Sequence, residues 1–193
     1  MRTDGRMINN LKVPFRLHQE DFSQALGIAA ADKYEKNETG YMRMMFEILR
    51  NYSSDPINDQ LKLWDICIFN YLIGNTDNHI KNVSLLYSED LKTIRLAPAY
   101  DIISTMIYES STENMALSIG GIYNIHDISR EQFKKEAKNI GLGSKLAIKR
   151  FDNMVSNFEP ALRESAEQLR KQGFEGVGDI AAQILQKGGM HLQ

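Results

Sequence analysis

Asp77, Asn82 and Asp101 are the residues of this chain whose types and spacing could carry chemistry. They lie in the stretch from Phe69 to Ser104, FNYLIGNTDNHIKNVSLLYSEDLKTIRLAPAYDIIS, where an apolar run from Trp64 to Ile73 reaches Gly74 and polar groups then crowd together: Asn75, Thr76, Asp77, Asn78, His79, Lys81 and Asn82. Two carboxylates and a carboxamide suit Mg²⁺, a hard cation that takes one or two carboxylates, substrate phosphates and several waters. Phosphoryl transfer needs an Asp that orients the nucleophilic hydroxyl, an Asn that holds a metal, and a downstream Asp that holds the metals bridging the phosphates. The Asp-x-x-x-x-Asn spacing from Asp77 to Asn82 meets that need, with Asp101 downstream and His79 and Lys81 placed to add hydrogen bonds or positive charge. The same residues also read as a polar turn followed by a helix cap. A divalent-metal hydrolase built on Asp77 and Asp101 is the weaker reading, because no cluster of His or acids completes a two-metal site.

The elements around these residues must bring them together. Val83–Tyr87 (VSLLY) and Thr93–Leu96 (TIRL) are short β-prone runs joined by Ser88-Glu89-Asp90-Leu91-Lys92, the pattern of a hairpin. Folding back there lets Asp77, Asn82 and Asp101 converge at one end. Upstream, Leu61 to Ile73 is apolar nearly all round, which predicts a buried central helix that aims the polar loop. Ser53-Ser54-Asp55-Pro56 ends the preceding helix, Thr39 to Tyr52, and caps the central one, with Pro56 suited to its first turn. The Met cluster of Thr39–Tyr52 fits core packing better than a cofactor box.

Charge and composition narrow the classes. A net charge of −2 gives no electrostatic footprint for nucleic acid. Hydrophobic residues at 42% and charged residues at 25% are ordinary for a globular domain, and 193 residues suffice for one core. No apolar run approaches the ~20 residues of a membrane span, and the first residues lack a signal peptide's hydrophobic stretch. The single Cys67 sits in an apolar run and reads as a buried thiol, so the expected setting is cytoplasmic and reducing.

The rest of the chain reads as support. Met1 to Val13 predicts a loose strand or loop, with turn signals at Asp4-Gly5 and Asn9-Asn10. Arg16 to Leu26 has the spacing of a short helix stopped by Gly27. Met115 to Gly121 alternates as a short strand. Ser129 with Gln132 forms a capping-box pattern for a helix from Arg130 to Ile140, stopped at Gly141. Ser144 starts another helix, Pro160 marks a bend or a new segment (Ala161 to Gln172), and Gly176 to Gln186 makes a last amphipathic helix. Gly120-Gly121 and Gly173-x-x-Gly176-x-Gly178 do not sit between predicted strands and read as plain loops. His126 and His191 are isolated, which disfavours a metal role. Lys145, Lys149 and Arg150 form a modest, solvated positive face.

Gly74-Asn75-Thr76-Asp77-Asn78-His79-Ile80-Lys81-Asn82, followed by Leu96-Ala97-Pro98-Ala99-Tyr100-Asp101-Ile102-Ile103-Ser104, closely resembles the HipA-type serine/threonine kinases, the toxin components of bacterial toxin–antitoxin pairs. The segment Arg16-Leu17-His18-Gln19-Glu20-Asp21-Phe22-Ser23-Gln24-Ala25-Leu26-Gly27, with Lys33-Tyr34-Glu35, resembles a second family motif, with His18 where many relatives carry Pro. Asp-x-His-x-x-Asn is also similar to the catalytic loop of lipid kinases. The resemblance implies a mainly α (α+β) fold, the protein-kinase-like C-terminal lobe of HipA over residues 1–193, with a small antiparallel hairpin at the catalytic loop and the N-terminal lobe absent. It implies ATP and Mg²⁺ as cofactors, Asp77 as catalytic residue, Asn82 and Asp101 on the metal, and His79 and Lys81 on the nucleotide. It gives Gln19-Glu20-Asp21 the part of a structural brace. Expected partners are a protein carrying the Ser or Thr acceptor, a HipB-like helix-turn-helix antitoxin and a separately supplied N-terminal lobe, with little activity from this chain alone. The competing expectation is a kinase remnant that only binds an antitoxin or regulatory partner.

Overall fold

The computed structural model describes residues 3–8, 11–37 and 39–189, with side chains from residue 16 onward. In chain order the elements are β1 (Thr3–Ile8), β2 (Leu11–Arg16), β3 (Gln19–Asp21), α1 (Phe22–Ala25), α2 (Tyr41–Tyr52), α3 (Pro56–Ile73), β4 (Ser84–Tyr87), β5 (Ile94–Leu96), β6 (Asn114–Ile119), β7 (Ile122–Asn124), α4 (Arg130–Asn139), α5 (Ser144–Lys171) and α6 (Val177–Lys187). About half of the chain is helical, and the strands pair only antiparallel.

The architecture is organised by α3. Pro56 opens it, and Leu63, Trp64, Ile68 and Leu72 are fully buried on it, so neighbours must cover several of its faces. One side is covered by α2 and another by α5. The Trp64 indole donates to the Ala147 carbonyl at 3.0 Å, which fixes α5 along α3, and Phe133 of α4 stacks edge-on against both Trp64 and Tyr71. The Met cluster belongs to this core: Met42 and Met45 of α2 are buried.

The hairpin forms as β4–β5 and gains a third strand. Gln19, Glu20 and Asp21 pair with Leu86, Leu85 and Ser84, giving the order β3-β4-β5. The helix expected from Arg16 to Leu26 is thereby corrected to a strand and a single helical turn. The backbone groups of 19–21 are taken by β4, and Asp21 then caps α1 through a capping box with Gln24. The brace role of this segment therefore rests on main-chain pairing, extended by Phe22 N–H to the Val83 carbonyl, with Glu20 accepting from the Tyr87 hydroxyl at 2.6 Å.

Other boundaries moved for local reasons. Of the stretch read as a loose strand or loop, residues 3–8 and 11–16 are strands, β1 and β2, paired antiparallel, while the turn signal at Asn9-Asn10 lies outside the described residues, as does His191. Gly120 and Gly121, both at positive φ, join β6 to β7, so this pair does lie between strands. It is still no phosphate loop. A Cβ on Gly120 would meet the Gln132 carbonyl at 2.7 Å, and the Gly120 N–H is already given to the Glu136 carboxylate at 3.0 Å. The capping box of Ser129 and Gln132 opens α4 as the sequence predicts. Pro160 does not break α5, which runs unbroken for 28 residues: its buried stripe (Ala147, Ile148, Phe151, Phe158) precedes the proline, and partly buried Leu162 beyond it still packs on the core.

Candidate active site

Gly74 ends α3 in the left-handed conformation, φ 71°, and a side chain there would press its Cβ to 2.9 Å from Met106 Cβ and 3.2 Å from Gly188 Cα. Only glycine fits a positive φ in so tight a place. The turn lets the chain leave the buried helix and enter the polar loop. Its carbonyl then collects three donors from the segment after Asp101: Thr105 N–H, Met106 N–H and the Thr105 hydroxyl, each at 3.0 Å. The Thr105 hydroxyl in turn accepts from Thr76 N–H at 2.8 Å and pairs with the Thr76 hydroxyl at 2.8 Å. Residues 74–76 and 105–106 are thus clipped together, and the stretch carrying Asp101 returns to the loop carrying Asp77.

Asn75 is the hub. Fully buried, it donates from Nδ2 to Asn70 Oδ1 at 2.7 Å and to the main-chain carbonyl of Asp101 at 3.2 Å, while its Oδ1 accepts from Asp77 N–H at 3.3 Å. One carboxamide therefore ties α3 to the backbones of both acids. Asn82 closes the loop from the other side, donating from Nδ2 to the Asp77 carbonyl at 3.0 Å, which also accepts His79 N–H at 2.8 Å. Tyr100, next to Asp101, donates to the Lys81 carbonyl at 2.6 Å and accepts from the Ser84 hydroxyl at 2.6 Å. The structure thus brings Asp77, His79, Lys81, Asn82 and the Asp101 backbone into one hydrogen-bonded assembly.

Asp101 has positive φ, 56°, uncommon for a non-glycine residue and tolerated best by Asp and Asn. Its carboxylate is exposed and carries no hydrogen bond or ion pair among the described residues. With Nδ2 of Asn82 committed, its Oδ1 is likewise left as an acceptor. An uncommitted carboxylate and amide oxygen are the donor chemistry a hard cation takes, so these residues fit Mg²⁺. Among the described residues no three His, Cys, Asp or Glu gather to hold a metal by themselves.

His79 is buried, 5% exposed, with Nδ1 unpartnered, and its neighbour Asn78 has an unpartnered buried Oδ1. Burial holds the imidazole below its ordinary value; the Lys33 ammonium pushes the same way, and Asp77 and Asp101 oppose it. A neutral ring at pH 7 follows, suited to hydrogen bonding and not to pairing phosphates as a cation. Tyr34 completes the surroundings. Its hydroxyl donates to Asp77 Oδ1 at 2.6 Å, and its ring stands edge-on to His79 at 5.3 Å. Hydrogen bonding to Asp77, helped by burial, pushes the phenol up to about 12, so it remains a donor at neutral pH.

Sequence reasoning left three of these residues without a role. Asn75 appears there only in a polar crowd, Tyr34 only in the Lys33-Tyr34-Glu35 match, and Thr105 not at all. Tyr34 is 43 residues from Asp77, and only its place in the Lys33-Tyr34-Glu35 match could have hinted at the contact.

A helical lobe with a short antiparallel sheet, and an acid-bearing loop at the end of its buried helix, is a kinase-like arrangement, and the comparisons agree with it. The family model for HipA-like C-terminal domains matches residues 2–162, and the chain belongs to that family. It is 37% identical over 155 residues to a Sinorhizobium fredii protein named "Putative kinase Y4mE", an alignment covering 80% of this chain and 36% of that one. To the serine/threonine-protein kinase toxin HipA of Shewanella oneidensis it is 26% identical over 174 residues, 84% of this chain and 40% of the relative. A HipA chain solved in a complex of HipA, HipB and operator DNA from the same organism superposes with a TM-score of 0.79 at 23% identity, covering 96% of this chain and 46% of that one. The chain thus spans less than half the length of these relatives, and the last likeness concerns fold alone. Among the described residues no helix is long and apolar enough to cross a membrane.

Proposed function

We propose that this chain is the acid-bearing lobe of an ATP–Mg²⁺-dependent phosphotransferase acting on Ser or Thr of a protein. The observation that carries the reading is the Asn75 hub, which holds the backbones of Asp77 and Asp101 on one frame while the Asp101 carboxylate stays uncommitted. Asp77 would orient the acceptor hydroxyl and take its proton. Asn82 Oδ1 and the Asp101 carboxylate would hold Mg²⁺, whose charge offsets that of the phosphates. Neutral His79 would brace the loop, and Lys81 would supply positive charge to the nucleotide. No described side chain is assigned to the phosphate-covering loop or its paired Lys, and the chain alone is expected to bind nucleotide with little transfer.

Thermal melting tests this. A ligand that binds only the native state adds RT ln(1 + [L]/Kd), about 1.4 kcal/mol at ten times Kd. Mg²⁺–ATP is expected to raise the melting temperature of the wild-type chain and to leave that of Asp101→Ala unmoved. No shift in either protein would support a second reading, a binding module without catalysis. The fold's likeness to a HipA solved together with HipB favours that alternative, with a HipB-like antitoxin as the partner.

A further inference from the structure

Asp77 already holds a hydroxyl. The Tyr34 Oη–Asp77 Oδ1 distance of 2.6 Å lies within the range a general base requires of the group it deprotonates. The phenol keeps its proton at neutral pH, so Tyr34 offers Asp77 the same donor that an acceptor alcohol would. The side chain is also removable. It is 41% exposed, its side-chain hydrogen bond is to Asp77, and its ring meets the edge of His79 and lies 4.8 Å beneath the Lys33 ammonium. The next residue is the opposite. Glu35 is buried, its N–H bonds the Ala116 carbonyl at 2.9 Å, and its carboxylate accepts from Gly40, Tyr41 and Ser118 N–H groups. The backbone is therefore fixed while the Tyr34 side chain can swing about its own χ angles.

Behind Tyr34 opens a groove of about 420 Å³, walled by Tyr34, Thr76, Thr112, Asn114, Met115 and Tyr123. Its position beside Thr76 makes it continuous with the Asp77 loop. Asparagine and threonine side chains there can meet the N–H and C=O groups of an extended peptide, and the tyrosines can cover it.

We propose that Tyr34 is an internal stand-in for the acceptor: its hydroxyl occupies the acceptor's place at Asp77, and a serine- or threonine-bearing peptide lying in the adjoining groove must displace it. The gate rests on the reading of Asp77 as the acceptor-orienting acid, and it adds an autoinhibitory contact and a peptide seat to that site. A free chain would then hold Asp77 capped, and only a segment presenting a hydroxyl at the right depth would uncap it.

The 193-residue chain labelled with ¹³Cζ-tyrosine provides the test, the Tyr34 signal being identified by its loss in Tyr34→Phe. The probe is a degenerate peptide library with a fixed central Ser, against the same library with central Ala. The Ser library is expected to move the Tyr34 signal toward its position in Asp77→Ala, and the Ala library to leave it in place. In wild type and Tyr34→Phe labelled instead with ¹³Cγ-aspartate, the Asp77 signal, identified by its loss in Asp77→Ala, should saturate in Tyr34→Phe at about five- to tenfold lower Ser-library concentration, as removal of one charge-assisted competing hydrogen bond requires. A Tyr34 signal unmoved by the Ser library, or moved equally by both libraries, overturns the gate. The melting experiment separates the two readings: stabilisation by Mg²⁺–ATP with an inert Tyr34 removes the gate alone, and a responsive Tyr34 without that stabilisation keeps the gate as a binding contact while phosphotransfer falls.

Discussion

Asn75 shows how one buried amide can set the geometry of two acids it precedes by two and by 26 residues. Its Nδ2 and Oδ1 each serve the site, and no other side chain among the described residues touches both acid-bearing backbones. Truncating it leaves Asn70 Oδ1, the Asp101 carbonyl and Asp77 N–H without that partner, and stranded buried groups cost roughly 1–3 kcal/mol each when nothing replaces the bond. Asn75→Ala is therefore expected to lower unfolding free energy by about 2–4 kcal/mol and to abolish stabilisation by Mg²⁺–ATP. Asn75→Asp should cost more, because it aims a buried charge at two oxygens that now receive an N–H. Urea midpoints of the two variants check both statements, and a loss under about 0.5 kcal/mol for the alanine variant would deny Asn75 its bracing role. At this scale the sequence was legible where chemistry is local. Asp77 and Asn82 stand one loop apart, and the Asn82 Nδ2–Asp77 carbonyl bond joins them. The parts of Asn75, Tyr34 and Thr105 were not, since each acts on residues brought near only by folding.

Elements were legible where their signals are self-contained. The capping box at Ser129 and Gln132, the glycine stop at Gly141 and the Pro56 start each specify a boundary through atoms a few residues apart, and each appears where it was expected. Boundaries set by a distant partner were misread. Gln19-Glu20-Asp21 carries a helical apolar spacing, yet β4 offers it a ladder and wins. Pro160 reads as a break, yet the packing of α5 on the core, by the stripe that ends at Phe158 and by partly buried Leu162 beyond the proline, outweighs the bond it removes. That balance makes the proline a cost the helix bears, since a proline in a helix interior forfeits one bond and clashes with the carbonyl four residues back, roughly 3 kcal/mol in an unconstrained helix. Pro160 is exposed, so Pro160→Ala should raise stability by about 1–3 kcal/mol. The urea midpoint should rise with the m-value unchanged, and an unchanged midpoint would mean that α5 has already relaxed around the proline.

Across the whole molecule, two buried carboxylates far apart in the fold pull its acid–base behaviour in opposite directions. Asp59 of α3 is buried beneath β5. Burial alone would raise its carboxyl, but hydrogen bonds from Arg95, the Ser53 hydroxyl at 2.6 Å and Leu96 N–H at 2.9 Å together hold it below its ordinary 3.8. Glu136 of α4 goes the other way: burial lifts it above its ordinary 4.5, and Glu35 across the same cavity adds to the rise, while Gly120 N–H, Asn139 and the Lys135 ammonium only partly oppose it. For Asp59 the native state holds the proton less well than the unfolded chain, so its contribution is complete above pH 3.8 and is lost as pH falls through the depressed value. For Glu136 the native state holds the proton better, so its contribution is complete below pH 4.5 and is lost as pH rises through the raised value. Stability should therefore peak in mild acid and decline on both sides. Glu136→Gln keeps an oxygen for Gly120 and Asn139 while removing the charge facing Glu35, and should flatten the decline above pH 4.5 without touching the acid limb. Asp59→Asn should do the reverse, flattening the acid limb and lowering stability at neutral pH, where Arg95 would lose its buried counter-charge. Urea midpoints measured between about pH 3 and 8 for the three proteins decide it. If Glu136→Gln left the limb above pH 4.5 as steep as in the wild type, the proton taken up there would belong to another group, and the Glu35–Glu136 cavity would play no part in holding the β6–β7 turn against α4.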